Sequence, residues 1–220
     1  MRNFKRGLFL ILILVSLNLP GYSQIILDEV QLVYEIQTVE NIKGISSANK
    51  SKDQLTVFLK GNRSRTEMKS ILGSEINIYD NVKKQGVILK DFSGQKLLIK
   101  MDELAWRNRN SFMSNIRFEV TNQSKFINGF HSTKAEAIDN PYISEVYFLK
   151  DTLLENSNYY NALTNLKGIP VSYTISSSGF TFTYTLKSIL KEGVSNNMFD
   201  IPKTGFRNVT YEEIKKIKEE

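Results

Sequence analysis

From about residue 29 to residue 188 the chain alternates apolar and polar residues with a period of two. A strand has that period and a helix does not, so the pattern limits most of the chain to β structure. Residues 29–39 set Val30, Leu32, Tyr34 and Ile36 against polar neighbours. Strands are predicted at 54–60, after a turn-like SSANKSKD, and at 75–80, where Ile76 and Ile78 share a side. Residues 86–91 and 96–101 form two more, joined through Phe92-Ser93-Gly94 as a short hairpin. Further strands are predicted at 116–120, 144–150, 171–176 and 179–188. The last is the cleanest, with Phe180, Phe182, Tyr184 and Leu186 facing one way and Thr181, Thr183, Thr185 and Lys187 the other.

Short strands with Gly, Asn and Asp turns between them predict an antiparallel meander with one packed face and one wet face. About ten strands do not stay flat, because twist accumulates and the sheet curls or splits. Three stretches break the alternation. Residues 101–115 hold the single tryptophan, Trp106, and read as a helical or irregular excursion. Residues 157–168 place Tyr159, Tyr160, Leu163 and Leu166 on one helical face, with Gly168 as a C-terminal cap. Residues 210–220 open on Thr210 and Glu213 at capping-box spacing. The expected fold is mainly β (α+β), a curved antiparallel sheet or half-barrel with two or three covering helices.

The first 23 residues read as a cleaved signal peptide. Arg2, Lys5 and Arg6 precede the apolar run 8–17, Pro20 and Gly21 break that run, and Gly21 and Ser23 suit a cut before Gln24. The run is too short for a membrane span, which takes about 20 apolar residues, so membrane association is expected to be peripheral at most. Residues 24–220 are expected to form one domain, exported to the periplasm or the cell surface. There is no cysteine, which favours a bacterial export over a disulfide-stapled one. The 29 basic residues fall to 26 without the leader, against 23 acidic, a net of +3. That charge is too small and too dispersed to argue for nucleic acid.

GNRSRTEM, residues 61–68, opens on a Gly61-Asn62 turn and continues as a strand. Arg63, Arg65 and Glu67 then share one face, and Ser64, Thr66 and Met68 the other. Backbone phosphate sites sit on turns that open helices, whereas charged strand faces usually pair across strands. A ligand headgroup contact from Arg63 or Arg65 is the alternative.

GNRSRTEM, NIYDNVKKQGVILKDFSGQKLLIKM, KFINGFHSTKAEA, LKGIPVSYTI and MFDIPKTGF occur in that order between residues 50 and 206. As an ordered set they resemble a family of secreted Gram-negative proteins of unknown function, grouped with LolA-like lipoprotein-carrier folds. The GLPGLI family of exported proteins is a close competitor. The chain departs at NGFHSTKA, where Ser132 replaces a frequent cysteine and Phe130 a tyrosine. The resemblance implies a half-barrel whose concave face is covered by helices. In LolA-like proteins that covered face can hold acyl chains, although the resembled family itself has no established ligand.

Nothing in the sequence builds a catalyst. His131 is the single histidine and has no cysteine beside it, so nucleophile–base and zinc chemistry lack their parts. Asp80, Asp91, Asp102, Glu103 and Glu119 are the carboxylates a hydrolase would use, yet Asp80 and Asp91 fall at strand ends, where aspartate suits turns. No dinucleotide or phosphate-loop fingerprint occurs, and no cofactor or metal is expected. The positive signal is aromatic: ten tyrosines and thirteen phenylalanines, many at alternating positions. They suit either a filled core or the wall of an apolar pocket. The expected wall is Tyr34, Phe58, Ile78, Leu98, Phe118, Phe182 and Tyr184, with Trp106 as a lid or a core plug. The expected function is non-catalytic binding or carriage of a hydrophobic ligand, a lipid or lipoprotein acyl chains. The rival is an envelope interaction module with a filled core.

Overall fold

The computed structural model describes residues 24–42, 45–109, 116–157, 163–177 and 179–214. The predicted leader and parts of the expected excursions lie outside these residues. A meander of six strands comes first: β2 (Glu29–Ile42), β3 (Ile45–Lys60), β4 (Arg63–Ser70), β5 (Gly73–Asp80), β6 (Gln85–Phe92) and β7 (Gln95–Met101). Helix α1 (Glu103–Asn108) follows, then β8 (Arg117–Ile127), β9 (Phe130–Ile138) and β10 (Ile143–Leu149). β12 (Ile169–Ser177), β13 (Phe180–Leu190) and β14 (Arg207–Thr210) complete one open, curved sheet in the order β14-β7-β6-β5-β4-β3-β2-β13-β12-β10-β9-β8. Two three-residue strands, β1 (Ile25–Leu27) and β11 (Thr152–Leu154), pair in parallel beside it. β14 also runs parallel to its neighbour β7, and the other pairs are antiparallel. The sheet thus has twelve strands among the described residues where about ten were expected. β1, β11 and β14 are too short to show an alternation.

Cross-strand register sorts the side chains into two faces. The inner face carries Val30, Leu32, Tyr34 and Ile36 of β2, opposite Leu59, Val57, Leu55 and Asp53 of β3. It continues through Leu186, Tyr184 and Phe182 of β13 into Tyr173 and Ile175 of β12. In the other direction it runs through Ser64, Thr66 and Met68 to Tyr79, Asn77 and Glu75. The main core lies on this face and includes Leu163 and Leu166 from the covering chain. A second inner cluster, Tyr79, Ile88, Ile99, Met101 and Val209, is closed by Trp106 of α1 and by Tyr211 and Ile214.

The outer face was expected to meet water, and over half the sheet it does not. Phe58, Ile78, Val87, Leu89 and Leu98 form a third cluster there, under Val194, Met198, Phe199 and Phe206. These last residues belong to a strap, residues 191–206, with a 3-10 turn at Asn196–Phe199. β6 and β7 are therefore buried from both sides, and Val87, Ile88 and Leu89 are consecutive buried residues.

Other local expectations are corrected in the same way. SSANKSKD is not a turn: it belongs to β3, where Asn49 pairs with Thr38 and Ser47 with Glu40. Its run of polar residues carries no alternation, which is why it reads as a loop. Of the 101–115 excursion, α1 is helical and 110–115 lie outside the described residues. Asp102 caps α1, its Oδ1 accepting from the Ala105 N–H at 2.7 Å. Of the 157–168 helix, 158–162 lie outside; the remainder is a turn whose Leu163 and Leu166 are buried as expected. Gly168 is not a helix cap. It opens β12 at φ +157°, and an added Cβ would lie 2.3 Å from the Leu149 carbonyl oxygen. The Thr210–Glu213 capping box forms, with both reciprocal hydrogen bonds present, although 215–220 lie outside.

Candidate functional site

The expected wall residues do not share one face. Tyr34, Phe118, Phe182 and Tyr184 point to the inner face. Phe58, Ile78 and Leu98 point to the outer face, because Phe58 pairs with Arg65 and Arg65 with Ile78, one residue out of phase with Tyr34. The strap covers all three. They form the floor of a packed cluster and are not part of one wall with Tyr184. Trp106 is a plug. It stacks on Tyr79 at 4.4 Å, with the Arg109 guanidinium 4.1 Å above its ring. Gly86 makes room for that stack, since a Cβ there would lie 2.8 Å from Tyr79 and 3.0 Å from Trp106.

Arg63 and Arg65 hold the strap. Arg65 Nε donates to Glu67 Oε1 at 2.6 Å along its own strand, and Arg65 Nη1 to the Met198 carbonyl at 2.8 Å. Arg63 Nη2 donates to Asn196 Oδ1 at 2.7 Å, and the guanidinium lies over the Phe199 ring. Lys60 and Glu29 grip Val194 from both sides. Lys60 donates to its carbonyl, Glu29 accepts from its N–H, and the two side chains pair at 3.0 Å. The Lys60 hydrogen bond, with the Val194 amide, holds the Glu29 carboxyl below its ordinary range. The face read as charge paired across strands is thus paired along the strand and to a covering segment.

The inner face changes along its length. At the end marked by Val30, Leu32, Val57 and Leu59 it is closed. Towards the other end Leu55, Phe182 and Tyr184 are only half-buried, and Met68 and Phe180 are exposed. Three rings line the transition. Tyr173 stacks on Tyr184 at 4.6 Å and meets Tyr34 edge-on, and Tyr34 donates its hydroxyl to the Pro170 carbonyl at 2.8 Å.

Opposite the rings lies a polar stripe that the sequence reading missed. Lys90 pairs with Glu75 at 2.9 Å, and Asn77 Nδ2 donates to Glu75 Oε1 and to Thr66 Oγ1. Arg109, at the end of α1, donates to Asn77 Oδ1 at 2.7 Å. Burial pushes the Glu75 carboxyl up, but Lys90, Asn77 and Arg109 outweigh it and hold it below its ordinary value. Burial first, and the Glu75 charge second, push the Tyr184 hydroxyl up to about 12. Three strands, β2, β3 and β4, separate β5 from β13. Both groups face the inner side of the curved sheet, and the Glu75 charge acts on Tyr184 across those strands. Asp53, on the same face, keeps a buried Oδ1 without a hydrogen-bond partner. The signal for the stripe was available, because Glu75 and Lys90 fall opposite each other once the β5–β6 hairpin is registered.

The candidate catalytic groups are dispersed. Asp80 accepts from the Val82 and Lys83 N–H groups in a turn, Asp91 pairs with Lys96 at 3.5 Å, and Asp102 caps α1. Glu119 is exposed on β8, and His131 rests against the Phe126 ring. Ser132 is fully buried, and its hydroxyl donates to the Phe130 carbonyl. Among the described residues no His, Asp and Glu cluster has the makings of a metal site.

No family model matches the chain, and no curated protein matches it in sequence. Solved structures are similar in fold. PNGF-II aligns with a TM-score of 0.49 at 12% identity, over 86% of this chain and 33% of that one. An uncharacterized conserved protein from Thermus thermophilus aligns at 0.47 and 9% identity, over 81% and 90%. A LolA superfamily protein from Nitrosomonas europaea aligns at 0.35 and 10%, over 79% and 90%. The chain thus spans about a third of the length of PNGF-II. The likeness is one of backbone arrangement.

Proposed function

We propose that this chain is an exported, non-catalytic binder or carrier of a hydrophobic ligand, a lipid or the acyl chains of a lipoprotein. The observation that carries the reading is the gradient along the inner face. The same sheet face is sealed by aliphatic side chains at one end and left half-open at the other, where Leu55, Phe182 and Tyr184 line it. A curved apolar surface with a few convergent polar groups at its mouth suits a ligand with a long tail and a polar head. The tail lies along Leu55, Phe182 and Tyr184, the inner-face side chains that are left half-buried. The head meets the Glu75–Lys90–Asn77 stripe, and a donor on it satisfies Asp53. Turn, ion-pair and capping roles for Asp80, Asp91 and Asp102 favour binding over hydrolysis. The leader-like residues 1–23 and the ordered blocks resembling secreted Gram-negative proteins favour export. Among the described residues no helix is long and apolar enough to cross a membrane.

The rival reading, an envelope interaction module, draws on β8. This strand ends the sheet with one neighbour, and Val120 and Phe126 on it are exposed. Such an edge can add a partner's strand.

Phe182→Asp separates the two. Phe182 is half-buried at the mouth, so the variant is expected to keep its circular dichroism spectrum. It should also lose about tenfold or more of its affinity for 11-(dansylamino)undecanoic acid, as burying a carboxylate against the tail requires. A folded variant that binds the probe like the parent, or a parent that does not bind it, removes the carrier reading.

A further inference from the structure

The β4–β5 hairpin turns through Ser70-Ile71-Leu72-Gly73, and its two tip residues stand in solvent, Ile71 at 81% and Leu72 at 73% exposure. Turn tips ordinarily carry Gly, Asn, Asp or Ser, as this chain does at Gly61-Asn62, Ser93-Gly94 and Asn128-Gly129. Two adjacent branched aliphatics at a tip are therefore a departure from the molecule's own habit.

The tip is also built to hold its shape. The Ser70 hydroxyl accepts from the Leu72 N–H at 3.2 Å and lies 3.4 Å from the Gly73 carbonyl oxygen. Gly73 sits at φ +142°, where an added Cβ would lie 2.1 Å from the Asp91 carbonyl oxygen, so the hairpin is pressed against β6. Charges around it are largely paired: Lys96 with Asp91 and Lys90 with Glu75, while the exposed Lys69 shares Glu67 with Arg65. What projects is a narrow apolar wedge with a polar collar of Lys69, Ser70, Ser74, Asp91 and Ser93.

We propose that this prong inserts into the interfacial layer of a lipid bilayer. A specific protein partner needs roughly 1,000 Å² of complementary surface, and two side chains on a hairpin tip with polar flanks do not offer it. A bilayer accepts a wedge of any small apolar area, with polar groups left at headgroup level. One loosely paired cation, Lys69, is too little for attraction to anionic lipid to dominate, so apolar insertion is the source of binding. The prong lies at the same end of the sheet as the mouth. Ser70 pairs with Gly73 beyond Met68 and Glu75, and the Phe180 end of β13 lies towards the tip of the β2–β3 hairpin. The inference stands whether or not the inner face holds a ligand.

The test is vesicle flotation of the exported chain with phosphatidylcholine vesicles, and with phosphatidylcholine–phosphatidylglycerol vesicles, at low salt and at about 0.5 M salt, where surface charge is screened. The parent should float with both compositions at both salts. Ile71→Ser combined with Leu72→Ser should reduce partitioning by about tenfold or more, since burying each side chain is worth roughly a decade. Val82→Ser removes a comparably exposed aliphatic (70%) from a turn at the other end of the sheet and should change nothing. Equal partitioning of the double variant, equal loss in Val82→Ser, or binding that needs anionic lipid and vanishes in salt would each overturn the proposal. Binding of the dansyl probe by the double variant is expected to match the parent, which keeps this test separate from that of the inner face.

Discussion

Arg65 shows how one side chain fixes a covering segment. Its guanidinium is largely buried, and it spends one N–H on Glu67 and another on the Met198 carbonyl. Arg65→Ala would leave the Met198 carbonyl without that donor and the Glu67 carboxylate with only the more distant Lys69. A charged hydrogen bond lost in this way costs about 2 kcal/mol. The urea midpoint should fall by the corresponding amount with an unchanged slope, and the dansyl probe should bind as before. A lost probe with an unchanged midpoint would return Arg65 to the headgroup role. Tyr184 tests the curvature. Its hydroxyl is pushed up to about 12 by burial and then by Glu75. A raised phenol pKa keeps the folded group neutral, so its contribution to stability is whole below the ordinary value of 10.0 and is lost as pH climbs through about 12. Phenolate absorbance should show Tyr184 among the late-titrating tyrosines, with Tyr79 also raised by burial, and Glu75→Gln should bring Tyr184 earlier. Glu75 itself runs the opposite way. Its lowered carboxyl supports the fold above the ordinary value of 4.5, and that support fades as pH falls below it. A Tyr184 midpoint indifferent to Glu75→Gln would mean that the two groups do not face each other.

Among the elements, the strap carries the most unexpected weight. Phe199 is buried against the Phe58–Ile78–Leu98 cluster and under Arg63. Phe199→Ala is expected to cost about 3 kcal/mol, the cost of emptying a buried aromatic site, read as a lower thermal or urea midpoint. Loss of well under 1 kcal/mol would mean that the strap lies loosely on the sheet. This element was illegible because residues 191–206 have neither period, and their partners are 133 and more positions away in sequence. A trace of it was present in β6 and β7. Val87-Ile88-Leu89 and Leu97-Leu98-Ile99 are apolar on both faces, which one covered face does not explain. The strands were legible because alternation is local. The short parallel pieces β1, β11 and β14 were not, because three or four residues carry no period. The wall was half legible for the same reason. Period two says which residues share a face within a strand, whereas agreement between strands needs the register. Phe58, Ile78 and Leu98 thus fell on the face opposite Tyr34 and Tyr184.

At the scale of the molecule, twelve strands of the described residues make one sheet with different work on its two faces. The outer face is sealed where the strap crosses it, and the inner face is sealed at one end and half-open at the other. The apolar prong at Ile71-Leu72 stands at that open end. A filled interior would have buried Phe182 and Tyr184 as completely as it buries Leu32 and Leu186, and it does not. The account therefore rests on something from outside completing the inner face. Native mass spectrometry of residues 24–220, purified without detergent and run beside an organic extract, tests this directly. The account predicts an added mass that matches a lipid recovered in the extract and is displaced by the dansyl fatty acid. A bare chain mass that does not change on incubation with lipids would contradict it and leave the inner face as an ordinary core.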